Sequence, residues 1–282
     1  MNVLKIKNLN KSYETFKLYN VNLEIKKGYI MGFIGENGAG KTTMLKTMLN
    51  IVKKDSGKVE IFGKNIDEHE IAIKQEIAFM SGDSQFYPKK KLSIITKTFK
   101  RFYENWDDEI YQKYLELFKL DENKKISELS QGMRIKYSIA LALSHQAKFL
   151  ILDEPTSGLD PVARDMLLDI FRNIIEDGEH TILFSTHITS DLEKCADYIT
   201  FIKEGKIIGS DEKDAFLESY RLVSGDVNQL DEIKEALISY KKNSFGFTGL
   251  IKTKDINKTS ELSLSIPTLE DVMVYSSAYG GF

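Results

Sequence analysis

The chain has little that would tie it down covalently or carry it through a bilayer. Of its 282 residues only Cys195 is a cysteine, so an intramolecular disulfide and a cysteine-cluster metal site are both excluded. That thiol falls within a helical pattern, where a small buried side chain is its ordinary use. Strong charge of either sign is also missing. With 39 basic against 42 acidic residues, the formal net charge of −3 argues against nucleic acid as the main partner. No window approaches the 18 consecutive apolar residues of a spanning helix, so a role at a membrane requires another chain to cross it. Met1–Lys7 alternates apolar and charged residues, which reads as a strand and not as the apolar core of a signal peptide. What remains, 42% hydrophobic and 29% charged residues, is the composition of a globular domain.

The richest stretch is Gly35-Glu36-Asn37-Gly38-Ala39-Gly40-Lys41-Thr42-Thr43, which matches the phosphate-loop pattern G-x-x-x-x-G-K-[ST] without a mismatch. Tyr29–Ile34 before it reads as a buried strand, and Lys41–Leu49 after it as a helix. A strand feeding a glycine-rich turn into a helix N-terminus builds an anion site from backbone N–H groups and the helix dipole. The dipole contributes only about 0.3–1 kcal/mol in exposed settings. The full charge for the β- and γ-phosphates therefore falls to Lys41, and the Thr42 hydroxyl is placed to ligate Mg²⁺.

Around this loop the patterns alternate. Val3–Leu9 and Val21–Ile25 read as half-buried strands, Lys58–Phe62 and Ile77–Met80 as further strands, and 88–126 as helical and aromatic. Gln131–Ser144 reads as a helix, Phe149–Leu152 as a buried strand, Pro161–Glu176 as a helix and Thr181–Phe184 as another buried strand. Strands alternating with helices imply a mostly parallel sheet covered on both faces. Past about Arg221 the pattern weakens. Asp231–Tyr240 reads as a helix, Phe245–Ile251 as a strand and Thr268–Tyr279 as a helix, a small α/β appendage over 223–282.

Phe149–Leu152 runs into two acids. Asp153 is suited to hold Mg²⁺ and Glu154 to polarise an attacking water. Many strands end in acids, and it is the preceding phosphate loop that gives this pair its meaning. Leu129-Ser130-Gln131-Gly132-Met133 precedes a helix, with Ser130 a natural N-cap. Ser157-Gly158-Leu159-Asp160 follows the acid pair, and Ser185-Thr186-His187 closes the next strand.

In order and spacing these five motifs, over roughly residues 1–220, resemble the ATP-binding subunits of ABC transporters, most closely bacterial exporter-type subunits. The resemblance implies a P-loop NTPase α/β core in residues 1–222, with an antiparallel β subdomain at the N-terminus and a helical lobe inserted at about 83–130. It implies adenine stacking on Tyr13 and contact between the γ-phosphate and His187, which positions Glu154. Ser130 and Gly132 would meet the ATP held by a second copy, and Asp160 would communicate across the pair. ATP and Mg²⁺ are the expected ligands. The expected partners are an integral membrane permease and a second ATPase subunit, identical or paralogous, on the inner face of the membrane. An ABC-type ATPase acting on ribosomes or DNA is the alternative, but the chain has one phosphate loop, no long heptad insertion and no zinc module.

Two positions depart from the family. Met133 stands where a glutamine is usual, and it has no N–H to offer a nucleotide. Gly82 follows Ile77–Ser81 where the family places its Q-loop glutamine; Asp83 or Gln85 is left to reach Mg²⁺ or water, with position favouring Asp83. In the lobe, Phe99, Phe102, Tyr103 and Trp106 have the spacing of core residues and also the composition of an interface anchor.

Overall fold

The structure is a computed structural model and describes residues 1–81, 86–256 and 262–277. In chain order, β1 (Asn2–Ser12) and β2 (Lys17–Lys26) form a long antiparallel hairpin, and β3 (Ile30–Ile34) leads through the phosphate loop into α1 (Lys41–Met48). β4 (Ser56–Ile61) and β5 (Lys64–Asn65) extend the hairpin sheet, and α2 (Ile66–Gln75) leads to β6 (Ile77–Ser81). The lobe carries α3 (Leu92–Phe99) and α4 (Asp108–Phe118), and α5 (Gln131–Ser144) returns to β7 (Phe149–Asp153). There follow α6 (Pro161–Ile175), β8 (Thr181–Thr186), α7 (Thr189–Cys195), β9 (Tyr198–Lys203) and β10 (Lys206–Glu212). The last part holds α8 (Lys213–Glu218), β11 (Tyr220–Gly225), α9 (Val227–Ile233), β12 (Leu237–Asn243), β13 (Gly246–Lys252), β14 (Ser263–Ser265) and α10 (Leu269–Ser277).

The central sheet has the order β10-β9-β3-β8-β7-β6 and is parallel except for β10 at one edge. Every residue of β3, β7 and β8 is buried, because helices or a second sheet cover both faces. Side chains alternate between two cores. Met31, Phe33, Phe149 and Ile151 face the antiparallel sheet β2-β1-β4-β5 and α1. Ile30, Ile34, Leu150 and Leu152 face α5, α6 and α7. β2 alternates buried and exposed positions, as an antiparallel strand with one wet face should.

In the lobe a small hydrogen-bonded knot holds the helices together. Thr96 Oγ1 sits 2.7 Å from the Tyr111 hydroxyl and 2.8 Å from that of Tyr137, which donates to the Leu92 carbonyl. Burial drives both phenols well above their ordinary range. The aromatic cluster divides between buried and exposed positions. Phe99 and Trp106 pack on the core, and Tyr103 stacks on His145 at 3.8 Å between ring centroids, whereas Phe102 is 70% exposed.

The C-terminal part differs from the sequence expectation at one helix. Residues 231–240 are not a single helix: α9 ends at Ile233 and Leu237 opens β12, which pairs with β13. Ile233, Leu237 and Tyr240 have helical spacing, but pairing with β13 offers Ser239–Asn243 a complete ladder and overrides the local pattern. β11 crosses the expected junction at residue 222. On one face of the sheet β12-β13-β11-β14, Val223, Leu230, Phe247 and Ile251 form a separate small core. Toward the other, Leu269, Val272 and Tyr275 of α10 join the main core with Leu192 and Cys195 of α7. Both ends of α10 are fastened, the Leu269 N–H donating to Glu193 Oε1 at 2.9 Å and the Ser276 carbonyl accepting from Lys203 Nζ at 2.6 Å.

Candidate active site

β3 ends at Ile34, and six residues turn before Lys41 opens α1. Gly40 has φ +110°, and a Cβ there would lie 2.5 Å from Cζ of Phe16, so the turn takes only glycine. α1 has no acid in its first turn and no side-chain cap, which leaves its first N–H groups facing where an anion would sit. Lys41 is 6% exposed; its Nζ donates to the carbonyls of Gly35 at 2.7 Å and Glu36 at 3.2 Å and lies 3.3 Å from Glu154 Oε1.

Asp153 ends β7 in register with Ser185 on β8. Both carboxylate oxygens are engaged: Oδ1 accepts from Ser185 Oγ at 2.5 Å and Oδ2 from Thr42 Oγ1 at 2.7 Å. Glu154 leaves the strand with φ +53°, a left-handed conformation that costs a non-glycine residue about 1–2 kcal/mol. Its N–H donates to the Ser185 carbonyl at 2.9 Å, and its Oε2 lies 2.8 Å from His187 Nδ1. Lys41, Thr42, Asp153, Glu154 and His187, drawn from three strand ends, thus form one connected group.

The donor set fits Mg²⁺. Thr42 and Asp153 supply one hydroxyl and one carboxylate, and among the described residues no three His, Cys, Asp or Glu side chains gather as a metal cage. Mg²⁺ is held in this way, by one or two carboxylates together with substrate phosphates and water.

Other expected site residues lie apart from this group. Ser130 is exposed and caps α5 by accepting from the Met133 N–H at 3.2 Å. Met133 packs against the main core, and Asp160 Oδ1 caps α6 at Val162 and Ala163, 3.0 Å from each N–H. A cleft of about 590 Å³ beside the loop is lined by Thr15, Phe16, Tyr19 and Glu36–Ala39. Tyr13, 49% exposed with the Lys11 ammonium 5.4 Å from its ring centroid, is not part of that lining. Gly82, Asp83 and Gln85 lie outside the described residues; Ser81, just before them, pairs in register with Asp153.

Sequence reasoning assigned no task to Ser185, Phe16 or Gln131. A serine near the end of an apolar strand, two residues before His187, was the available signal for Ser185. Gln131 Nε2 donates to the Ser157 carbonyl at 2.6 Å, tying the start of α5 to the segment after the acid pair. Nothing in local pattern could have shown that contact.

A family model described as ABC transporter matches residues 18–157. The bacitracin transport ATP-binding protein BcrA of Bacillus licheniformis is 35% identical over 213 residues, covering 73% of this chain and 68% of that protein. The lantibiotic transport ATP-binding protein SrtF of Streptococcus pyogenes is 36% identical over 218 residues, covering 75% of this chain and 92% of that one. The chain belongs to the ABC transporter ATP-binding family. It is an ATP-binding ATPase subunit on a P-loop α/β core, and its family works with membrane permeases. Among solved structures, cbiO1 from Clostridium perfringens, part of the ABC transporter complex cbiONQ, superposes with TM-score 0.65 at 26% identity, covering 76% of this chain and 90% of that one. An ATP-binding cassette solved as a post-hydrolysis dimer with ADP and Pi shares the fold, with TM-score 0.66 at 24% identity over 74% of this chain and 98% of that one.

Proposed function

We propose that this subunit binds MgATP between two head-to-tail copies, or between itself and a paralogue, and drives a separate permease on the inner face of the membrane in the export direction. The observation that carries the reading is the connected group at the three strand ends, in which one lysine, one hydroxyl and two carboxylates converge on a helix N-terminus. Lys41 and the loop N–H groups of residues 35–43 hold the phosphates. Thr42 and Asp153 hold Mg²⁺, which when bound neutralises charge on the phosphate oxygens. Glu154 accepts a proton from the attacking water, and His187 keeps that carboxylate oriented through its Nδ1 contact. Tyr13 stacks on the base, and Asp83 contributes on the Mg²⁺ side.

Gly132 supports the two-copy site. It is the second residue of α5, where glycine is a poorer helix former than alanine. An added Cβ would meet only ordinary contacts, the nearest being Leu159 Cδ2 at 3.7 Å. Nothing within the described chain requires glycine there, whereas close approach of a second copy's nucleotide to Ser130 and the α5 N-terminus does. The same reading divides the chain into an ATPase unit through about residue 222 and an appendage over 223–282, joined through β11.

The two relatives above are named for bacitracin and lantibiotic transport, which supports export of a peptide-like compound. The test is copurification from membranes with and without ATP, followed by identification of any integral membrane protein retained. Wild type is expected to be retained and to hydrolyse ATP faster in the complex. Failure to associate with any membrane protein would overturn the transport reading.

A further inference from the structure

Among the described residues four buried side-chain polar atoms lack a hydrogen bond of ordinary geometry, and three of them belong to neighbouring side chains: Thr156 Oγ1, Arg164 Nε and Asp191 Oδ2. Such atoms are uncommon in folded proteins and each calls for a reason. Thr156 is fully buried, and Asp191 is 2% exposed. Arg164 Nε stops 3.8 Å from Asp191 Oδ1, beyond hydrogen-bond reach, while its Nη2 reaches the Leu159 carbonyl at 3.5 Å. Burial raises the Asp191 carboxyl above the ordinary range, with the Thr156 hydroxyl and the Arg164 charge acting in the opposite direction.

Position gives the cluster its meaning. Thr156 lies two residues beyond Glu154, and Asp191 lies four residues beyond His187 on α7. Arg164 stands one turn into α6, the helix capped by Asp160. The cluster therefore joins the segment leaving Glu154 to the helix leaving His187, behind the 2.8 Å contact between those two side chains. Glu154 needs such support. Its φ is +53° and its neighbour Pro155 restricts its backbone further, so its conformation persists only where the surroundings impose it. With Asp191 buried, the Arg164 side chain 28% exposed and the two 3.8 Å apart, the pair is a poor source of stability, since desolvation of the carboxylate offsets most of the attraction.

We propose that Thr156, Arg164 and Asp191 form a positioning brace that sets the separation of Glu154 and His187, and so governs the turnover of bound ATP without affecting its affinity. The brace rests on the roles given above to Glu154 and His187. On that reading its three residues act on turnover only through Glu154 and His187.

The deciding experiment uses the full chain and measures ATP affinity, kcat, KM and melting temperature together. The double variant Arg164→Met/Asp191→Val removes both charges with the smaller change of volume that apolar replacements allow, a change that paired charges often tolerate in stability. It is expected to melt at or above the wild-type temperature and to bind ATP within twofold of wild type, with kcat reduced tenfold or more. Thr156→Val removes one hydroxyl and is expected to lower kcat about threefold at unchanged KM. Asp191→Glu, which keeps the carboxylate, should recover more activity than Asp191→Asn. A merely structural pair would behave differently: the stable double variant would hydrolyse at the wild-type rate, and that result overturns the proposal. Equal losses of affinity and turnover overturn it too, as does an unchanged kcat in Thr156→Val should the double variant fail to fold. Glu154→Gln run alongside separates the two levels. Wild-type turnover in that variant refutes the assigned role of Glu154, whereas its loss together with a fully active double variant refutes the brace alone.

Discussion

Replacing Glu154 with glutamine changes two things at once, and the structure separates them. The first is catalysis. Glutamine occupies nearly the same volume but cannot take a proton from water, and a positioned general base contributes roughly 10²–10⁴-fold, or about 2.7–5.5 kcal/mol on the barrier. The second is the nucleotide-free ground state. Glu154 Oε1 lies 3.3 Å from Lys41 Nζ, and the lysine is only 6% exposed. Removing the carboxylate leaves that ammonium with the carbonyls of Gly35 and Glu36 alone. Losing one charged partner of three costs about 1–3 kcal/mol, which for a chain of this size corresponds to a melting temperature lower by about 2–5 °C. ATP brings phosphate charge to the same ammonium, so it should restore the variant more than it stabilises wild type. The expected pattern is a lower melting temperature without nucleotide, a larger ATP-induced shift, near-normal MgATP affinity, and phosphate release reduced at least a hundredfold. The variant should also accumulate as an ATP-dependent dimer on size exclusion. Phosphate release within threefold of wild type at saturating MgATP would refute the assignment. An ATP-induced shift equal to that of wild type would refute the exchange of partners at Lys41.

Three further outcomes are expected. Ser185→Ala deletes the 2.5 Å hydrogen bond to buried Asp153 and should weaken MgATP binding by about 1.5–3 kcal/mol in titrations, with less effect on ATP measured without Mg²⁺; equal effects in both conditions would refute the link through Asp153. Phe102→Ala, at a side chain 70% exposed, should reduce copurification with the permease by up to about 30-fold in affinity while sparing ATP binding, and wild-type retention would move the contact surface elsewhere. Val272→Asp places a carboxylate at a fully buried position in α10 and should cost about 3 kcal/mol or more in a single thermal transition shared with nucleotide binding; two separate transitions would show that the appendage melts alone.

The parts of the fold that could be read from sequence are those where local and tertiary preferences agree. β3, β7 and β8 are short apolar runs because they are buried on both faces, and the phosphate loop carries its glycines for backbone reasons visible in any context. α5 runs from Gln131 to Ser144 as expected because Ser130 caps it and its apolar face is continuous. Legibility ends where partners distant in sequence decide. The residues 237–240 have helical spacing yet pair as a strand, and β10 is a mostly exposed edge whose pattern resembles a loop. At the site, residue types were legible and connections were not. The pairing of His187 with Glu154, the second bond to Asp153 from Ser185 and the Arg164–Asp191 approach each join residues more than 25 positions apart.

The row formed by Ser81, Asp153 and Ser185 at the ends of three adjacent strands has a consequence for how such a subunit can change over evolutionary time. Phe149-Leu150-Ile151-Leu152 is buried on both faces, so nothing in its apolar character would resist a slip of one position. A single-residue deletion there would leave an acceptable buried strand, but it would carry Glu154 into the row and exchange the faces on which its neighbours pack. Point substitutions among Leu, Ile and Val are therefore cheap in β7, while insertions and deletions of one residue are closed to it. Changes of length are tolerated instead in the stretches outside these strands, such as the lobe and the C-terminal sheet.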